Sequence, residues 1–147
     1  RDAGLSVSLE RVRRRMKRLN LKGIQSRKFK YTTNSRHNLP IMPNLLEQDF
    51  GTDHANQAWA GDITYIRVKQ QWLYLAVILD LYSRKVIGWA FGERINAKLV
   101  TDALKAALRN RGYPTGVIVH TDRGSQYCSK AYQKLIQSYQ LRASMSG

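Results

Sequence analysis

Two aspartates, Asp62 and Asp122, stand where an isolated acid is costly. Asp62 interrupts Trp59-Ala60-Gly61-Asp62-Ile63-Thr64-Tyr65, a strand-like run, and Asp122 closes Val117-Ile118-Val119-His120-Thr121-Asp122 just before the turn at Gly124. Placed side by side, two carboxylates repel and one pKa rises unless a cation joins them. Their hard oxygens suit Mg2+ or Mn2+ rather than zinc. Two such ions, about 3.5–4 Å apart, activate an attacking oxygen and stabilise a leaving one during in-line displacement at phosphorus. Asp62 and Asp122 are therefore the candidate catalytic and metal-binding residues of a phosphodiester reaction. Taken singly, each reads more readily as structural, Asp62 hydrogen-bonded within its strand and Asp122 capping a turn; it is the pair in this topology that turns the reading toward chemistry. His120 has the chemistry of a general base. Where ions supply the nucleophile, structural support is the role expected of it.

The elements that must position this pair follow from hydrophobic periodicity. Ala58 to Val68, Trp72 to Leu81 and Val86 to Gly92 are rich in Val, Ile, Tyr and Trp, and the joints between them are too short for parallel crossovers. They predict an antiparallel meander. Asn96 caps a helix with a buried face at Leu99, Val100, Ala103, Leu104, Ala107 and Leu108, ended by Gly112 and Pro114. Val117-Ile118-Val119 predicts a central strand covered on both faces. A second amphipathic helix carries Ala131, Tyr132, Leu135, Ile136 and Tyr139, and Leu141 to Met145 starts a further strand. The order β-β-β-α-β-α-(β) predicts an α/β fold, an α+β mixed sheet of the ribonuclease-H-like kind. If its first and fourth strands are neighbours, Asp62 and Asp122 meet at the sheet centre. Trp59, Trp72 and Trp89 are expected in the core, with stacking on a base reserved for an exposed one.

Three segments are expected: 1–23, the end of a helix-turn-helix-like basic segment; 24–57, a linker; and 58–147, an incomplete catalytic core. In the first, Leu9, Val12, Met16 and Leu19 stripe a helix capped by Ser8, with Gly23 ending the unit. Arg11, Arg13, Arg14, Arg15, Lys17 and Arg18 cover its remainder; with Lys28 and Lys30 they are the candidate DNA contacts. A solvated helix that merely follows a domain boundary reads equally well. The linker carries Pro40 and Pro43 and shows no sustained period, so it is either mobile or laid across a surface.

The 147 residues carry a formal charge of +15. Residues 1–37 hold 12 Lys/Arg against two acids, and residues 38–147 hold 13 against eight. A polyanionic partner follows, with DNA or RNA ahead of an anionic membrane surface, and the amino-terminal quarter as anchor. One cysteine, Cys128, makes no internal disulfide, and no apolar run approaches the ~20 residues of a membrane span. An intracellular, reducing location is expected. The chain begins at Arg1 and stops within an expected strand, so it reads as a piece of a longer protein.

Trp59-Ala60-Gly61-Asp62-Ile63-Thr64-Tyr65-Ile66, Leu79-Asp80-Leu81-Tyr82-Ser83-Arg84-Lys85-Val86-Ile87-Gly88-Trp89 and His120-Thr121-Asp122-Arg123-Gly124-Ser125-Gln126-Tyr127 closely resemble three consecutive blocks of bacterial insertion-sequence transposases of the DDE type, relatives of retroviral integrases. The resemblance runs from about Trp59 to the chain end. It implies a polynucleotidyl transferase that nicks insertion-sequence ends and joins the freed strand to target DNA, using Mg2+ or Mn2+. It further implies homo-oligomeric action on DNA in the bacterial cytoplasm, nucleoid-associated when bound. Asp62 and Asp122 match the first two acids of the triad. The third, a glutamate that lies farther on in the family, has no counterpart here, because no acid follows Asp122. Gly61 and Cys128 stand where threonines are expected. Of the earlier acids, Asp102 is expected on a solvated helix face and Asp80 in a hairpin turn; Glu93 follows the third strand. The piece alone is expected to be inactive. The alternative reading is a DNA-binding, assembly or inhibitor module without catalysis.

Overall fold

In the computed structural model, which describes residues 7–21 and 39–146, Ala58–Val68 forms β1, Gln71–Asp80 β2 and Val86–Gly92 β3. Around the first aspartate β1 keeps a period of two, with Gly61 and Ile63 buried and Asp62 and Thr64 exposed. Both joints are antiparallel hairpins, so the expected meander is present. After Asn96, whose side chain accepts from Leu99 N, comes the first helix of this unit, Ala97–Asn110. Ile118–Thr121 then forms β4, followed by a helix at Lys130–Ser138 capped by Ser129, and by β5 at Arg142–Met145. The sheet order is β3-β2-β1-β4-β5, with β1–β4 and β4–β5 parallel. This is a mixed, ribonuclease-H-like sheet, as the periodicity predicts.

One face of the sheet carries the core. Trp59, Ile78, Val119 and Met145 pack with Val100, Leu104 and Leu108 of the 97–110 helix and with Tyr132 and Ile136 of the 130–138 helix. The 97–110 helix sits so close to β3 that a Cβ on Gly88 would lie 2.4 Å from both Ala103 O and Ala107 N. Small residues at 88, 103 and 107 make that approach possible. The same alternation turns Trp89 and Phe91 to the opposite face, where they are 57% and 55% exposed. Trp72, at the hairpin end of β2, is 52% exposed and meets the Tyr65 ring edge-on. Of the three tryptophans expected in the core, only Trp59 is there. Aromatic content alone does not say which face of a strand a helix will cover.

The Tyr132 hydroxyl is buried with no hydrogen-bond partner among the described residues. An unsatisfied buried donor costs about 1–3 kcal/mol. Tyr132→Phe should therefore raise stability by about 1 kcal/mol, seen as a higher urea midpoint at unchanged slope; an unchanged or lower midpoint would mean the hydroxyl is satisfied.

The described part of the expected linker, residues 39–57, is bonded to the sheet. Leu45 N donates to Ser144 Oγ (2.9 Å), Met145 N to Pro43 O (3.3 Å) and Ile118 N to Gln57 O (3.1 Å). Met42 packs against the core. Of the two options left open for this stretch, it is laid across a surface. Its anchors are backbone groups, which hydrophobic periodicity does not report.

Residues 1–31 cluster as a compact unit separate from 32–147. Its described helix, Leu9–Arg18, starts at Ser8, which accepts from Arg11 N. It ends where Asn20 takes φ +53° and Leu21 N bonds Met16 O at 2.9 Å. The expected stop at Gly23 lies outside the described residues. No residue of this helix is buried, and Leu9 is 70% exposed. Among the described residues no helix is long and apolar enough to cross a membrane.

Candidate active site

The β1–β4 ladder pairs Ala58 with Ile118, Trp59 with Val119 and Ala60 with His120, a constant offset of sixty positions. Two residues beyond the last pair on each strand stand Asp62 and Asp122. Asp62 is still within β1, whereas Asp122 is the first residue past β4, so the register carries both acids to the same end of two neighbouring strands. Asp62 is exposed and Asp122 half-buried at the carboxyl end of β4. In open α/β sheets ligands gather at that end of the strands.

Each carboxylate is oriented by one backbone amide. Ile63 N donates to Asp62 Oδ1 (2.8 Å) and Gly124 N to Asp122 Oδ1 (2.9 Å). The second bond folds the chain back so tightly that a Cβ on Gly124 would fall 2.9 Å from Asp122 Oδ1. These contacts are the local structural roles foreseen for each residue taken singly. A carboxylate has a second oxygen and further lone pairs for a cation. The donor set thus fits a hard divalent ion in type. Mg2+ commonly takes one or two carboxylates and keeps several waters, so two acids suffice to hold it loosely. Among the described residues no three His, Cys, Asp or Glu side chains gather to bind a metal. Glu93 and Asp102 line a separate depression at the start of the 97–110 helix, where Asp102 pairs with Lys98 on the solvated face. Asp80 is fully buried in its hairpin and bonded to Ser83 and Arg111.

His120 is buried beside the pair, its Nδ1 2.8 Å from Ser144 Oγ and its ring met edge-on by Phe50 at 5.7 Å. Burial pushes its pKa down, which favours the neutral ring. Held by Ser144, which also holds Leu45 N, it ties the 39–57 stretch to the flank of the site. That is the supporting role expected of it. Tyr127, not singled out by the sequence reading, lies against both aspartate-bearing segments. Its phenol is driven up, first by burial, then by Tyr132, Asp122 and Asp62. An aromatic five residues past the second acid, in an otherwise polar loop, was the available signal. Cys128 is buried beside Met145 as a small filler, its thiol pushed up by burial and then by Asp122.

The candidate DNA contacts Arg11, Arg13, Arg14, Arg15, Lys17 and Arg18 all lie exposed on the 9–18 helix, and Arg14 meets Glu10 at 3.5 Å. Lys28 and Lys30 lie outside the described residues.

Residues 52–147 match the family model of the integrase core domain. The chain is 49% identical over 146 residues to the transposase InsF for insertion sequence IS3A of Escherichia coli (strain K12), a match over 99% of this chain and 51% of that protein. It is 46% identical over 145 residues to the insertion element IS600 uncharacterized 31 kDa protein of Shigella sonnei, over 99% and 53%. The chain thus spans about half the length of these curated relatives. Among solved structures it resembles the HTLV-2 integrase catalytic core domain in complex with magnesium (TM-score 0.56, 25% identity, 62% of this chain and 61% of that one). It also resembles a chain of the simian T-cell lymphotropic virus intasome in complex with a PP2A regulatory subunit (TM-score 0.57, 27% identity, 63% and 34%). The fold, the three sequence blocks and the family model converge: the chain belongs to the integrase core domain family.

Proposed function

We propose that this chain carries the catalytic core of a divalent-metal-dependent DNA transposase, which nicks the ends of an insertion sequence and transfers the freed strand to target DNA. The observation that carries the reading is the constant sixty-residue offset of the β1–β4 ladder, with Asp62 and Asp122 both just beyond its last pair. Magnesium or manganese bound there would supply Lewis-acid activation of the attacking oxygen and offset charge on the leaving one. Asp62 and Asp122 hold the ion, Ile63 N and Gly124 N orient the two carboxylates, and the His120–Ser144 pair fixes the flank of the site. DNA is the substrate, a homo-oligomer the working unit and the bacterial cytoplasm the location. With no acid after Asp122, these 147 residues bind the ion but do not join strands unaided. Paramagnetic Mn2+ added to the chain should broaden amide resonances around Asp62 and Asp122 first, and Asp62→Asn with Asp122→Asn should remove that effect. Broadening spread evenly over the surface would reject the site.

The second reading is a DNA-binding or assembly module, favoured by six exposed basic residues on the 9–18 helix. If these six carry the phosphate contacts, affinity for duplex DNA should fall with a log–log salt slope near about −5. Replacing all six by Ala should flatten that slope; an unchanged slope would place the contacts elsewhere.

A further inference from the structure

The separation of Asp62 and Asp122 governs how well they share an ion, and the Tyr127 ring comes near a residue beside each, on the Gly61 side together with Ile78 Cδ1 (3.1 Å from where a Cβ would lie) and Thr121 Cγ2 (3.2 Å). The Tyr127 ring lies 3.8 Å from where Gly61, the residue before Asp62, would carry a Cβ, and 3.6 Å from the same point on Gly124. Gly124 N is in turn the donor to Asp122 Oδ1. The ring itself is held. It is 2% exposed, the Tyr132 ring meets it edge-on at 5.3 Å, and its backbone is pinned by Gln133 Nε2 on Tyr127 O (2.8 Å) and by Tyr127 N on Gly124 O (3.0 Å).

We propose that Tyr127 is a positioning residue whose ring acts as the spacer between β1 and the Asp122 turn, and so sets the geometry of the two carboxylates. The proposal rests on reading those carboxylates as an ion site. β1 and β4 stop pairing at Ala60 and His120, so beyond that level no ladder bond between them holds the strands at a set distance. The ring packs beside both segments just past that level, near Gly61 and Gly124.

A plain core filler would cost stability when truncated, and nothing more. A spacer also changes ion discrimination, because Mg2+ demands near-ideal geometry at about 2.0–2.1 Å whereas Ca2+ accepts flexible geometry at about 2.3–2.6 Å. Mg2+ and Ca2+ titrations of the 147-residue chain, read from NMR shifts of the amides near Asp62 and Asp122, separate the two. Tyr127→Phe keeps the ring and should keep both affinities. Tyr127→Leu should weaken Mg2+ binding about tenfold, as supporting residues of metal sites do, with a smaller loss for Ca2+. If Tyr127→Leu fails to fold by circular dichroism, Tyr127→Met, which retains volume without a rigid ring, is held to the same standard. A folded Leu or Met variant with unchanged Mg2+ affinity and unchanged Mg2+/Ca2+ ratio overturns the positioning role while leaving the ion site intact. A wild-type chain whose Asp62 and Asp122 amides respond to neither ion rejects the ion site, and the positioning role with it.

Discussion

In a longer transposase that contains this core, Asp62→Asn and Asp122→Asn should each lower strand joining by about a thousandfold or more, the scale of several kcal/mol of charge stabilisation at a metal-assisted phosphoryl centre. The fold should survive. Each carboxylate's described backbone bond is accepted by Oδ1, from Ile63 N or Gly124 N, and an asparagine carbonyl oxygen can accept it equally. The substitution therefore removes charge and little else, and thermal unfolding should stay within about 0.5 kcal/mol of wild type. Joining assays on labelled DNA ends, run beside unfolding curves, check both halves. Substantial joining by either variant would show that the sheet brings these acids together for some other purpose. Loss of joining together with a large loss of stability would return both to the structural roles they have when considered singly.

Asp80→Ala should cost about 3–5 kcal/mol, the penalty for stranding the partner of a buried ion pair. Asp80 is 0% exposed and accepts from Arg111 Nη2 (2.7 Å), Ser83 Oγ (2.7 Å) and Asn56 N (3.3 Å). One side chain thereby joins the β2–β3 hairpin to the end of the 97–110 helix and to the 39–57 stretch. Its backbone closes the hairpin as well, through Arg84 N to Asp80 O. Arg111 Nε is already buried without a partner among the described residues, so losing the carboxylate leaves that guanidinium poorly compensated. Against the roughly 5–15 kcal/mol of a typical domain, the loss is a large fraction. Urea unfolding of Asp80→Ala would measure it, and a change below about 1 kcal/mol, the scale of an exposed pair, would mean that the ion pair is solvated in solution. Asp80→Asn, which keeps one acceptor oxygen for either Asn56 N or Ser83 Oγ, should fall between.

Much of this was legible in local pattern. The strand run around Asp62, the Asn96 cap and the helix faces at 99–108 and 131–139 are short-range signals, and the structure follows them closely. Other features were not legible because their cause is remote in the chain. Trp72 and Trp89 have core composition but lie on surfaces that the 97–110 helix does not cover. The 39–57 stretch has the composition of a linker, yet Ser144 and Met145, about a hundred positions on, bind it. Tyr127 was one aromatic among eight tyrosines until its ring was seen against Gly61 and Gly124.

By itself the amino-acid sequence determined the order of strands and helices, the strongly basic balance, and the two acids worth pairing. Only the tertiary structure decided that β1 and β4 align sixty positions apart, that Ser144 binds both His120 and the 39–57 stretch, and that the Tyr127 ring comes near both Gly61 and Gly124. The physical reason is range. Backbone geometry repeats every two or 3.6 residues and is written in neighbours. Which distant strands meet, and in what register, is settled by the summed burial of the whole core, to which no local segment holds the key.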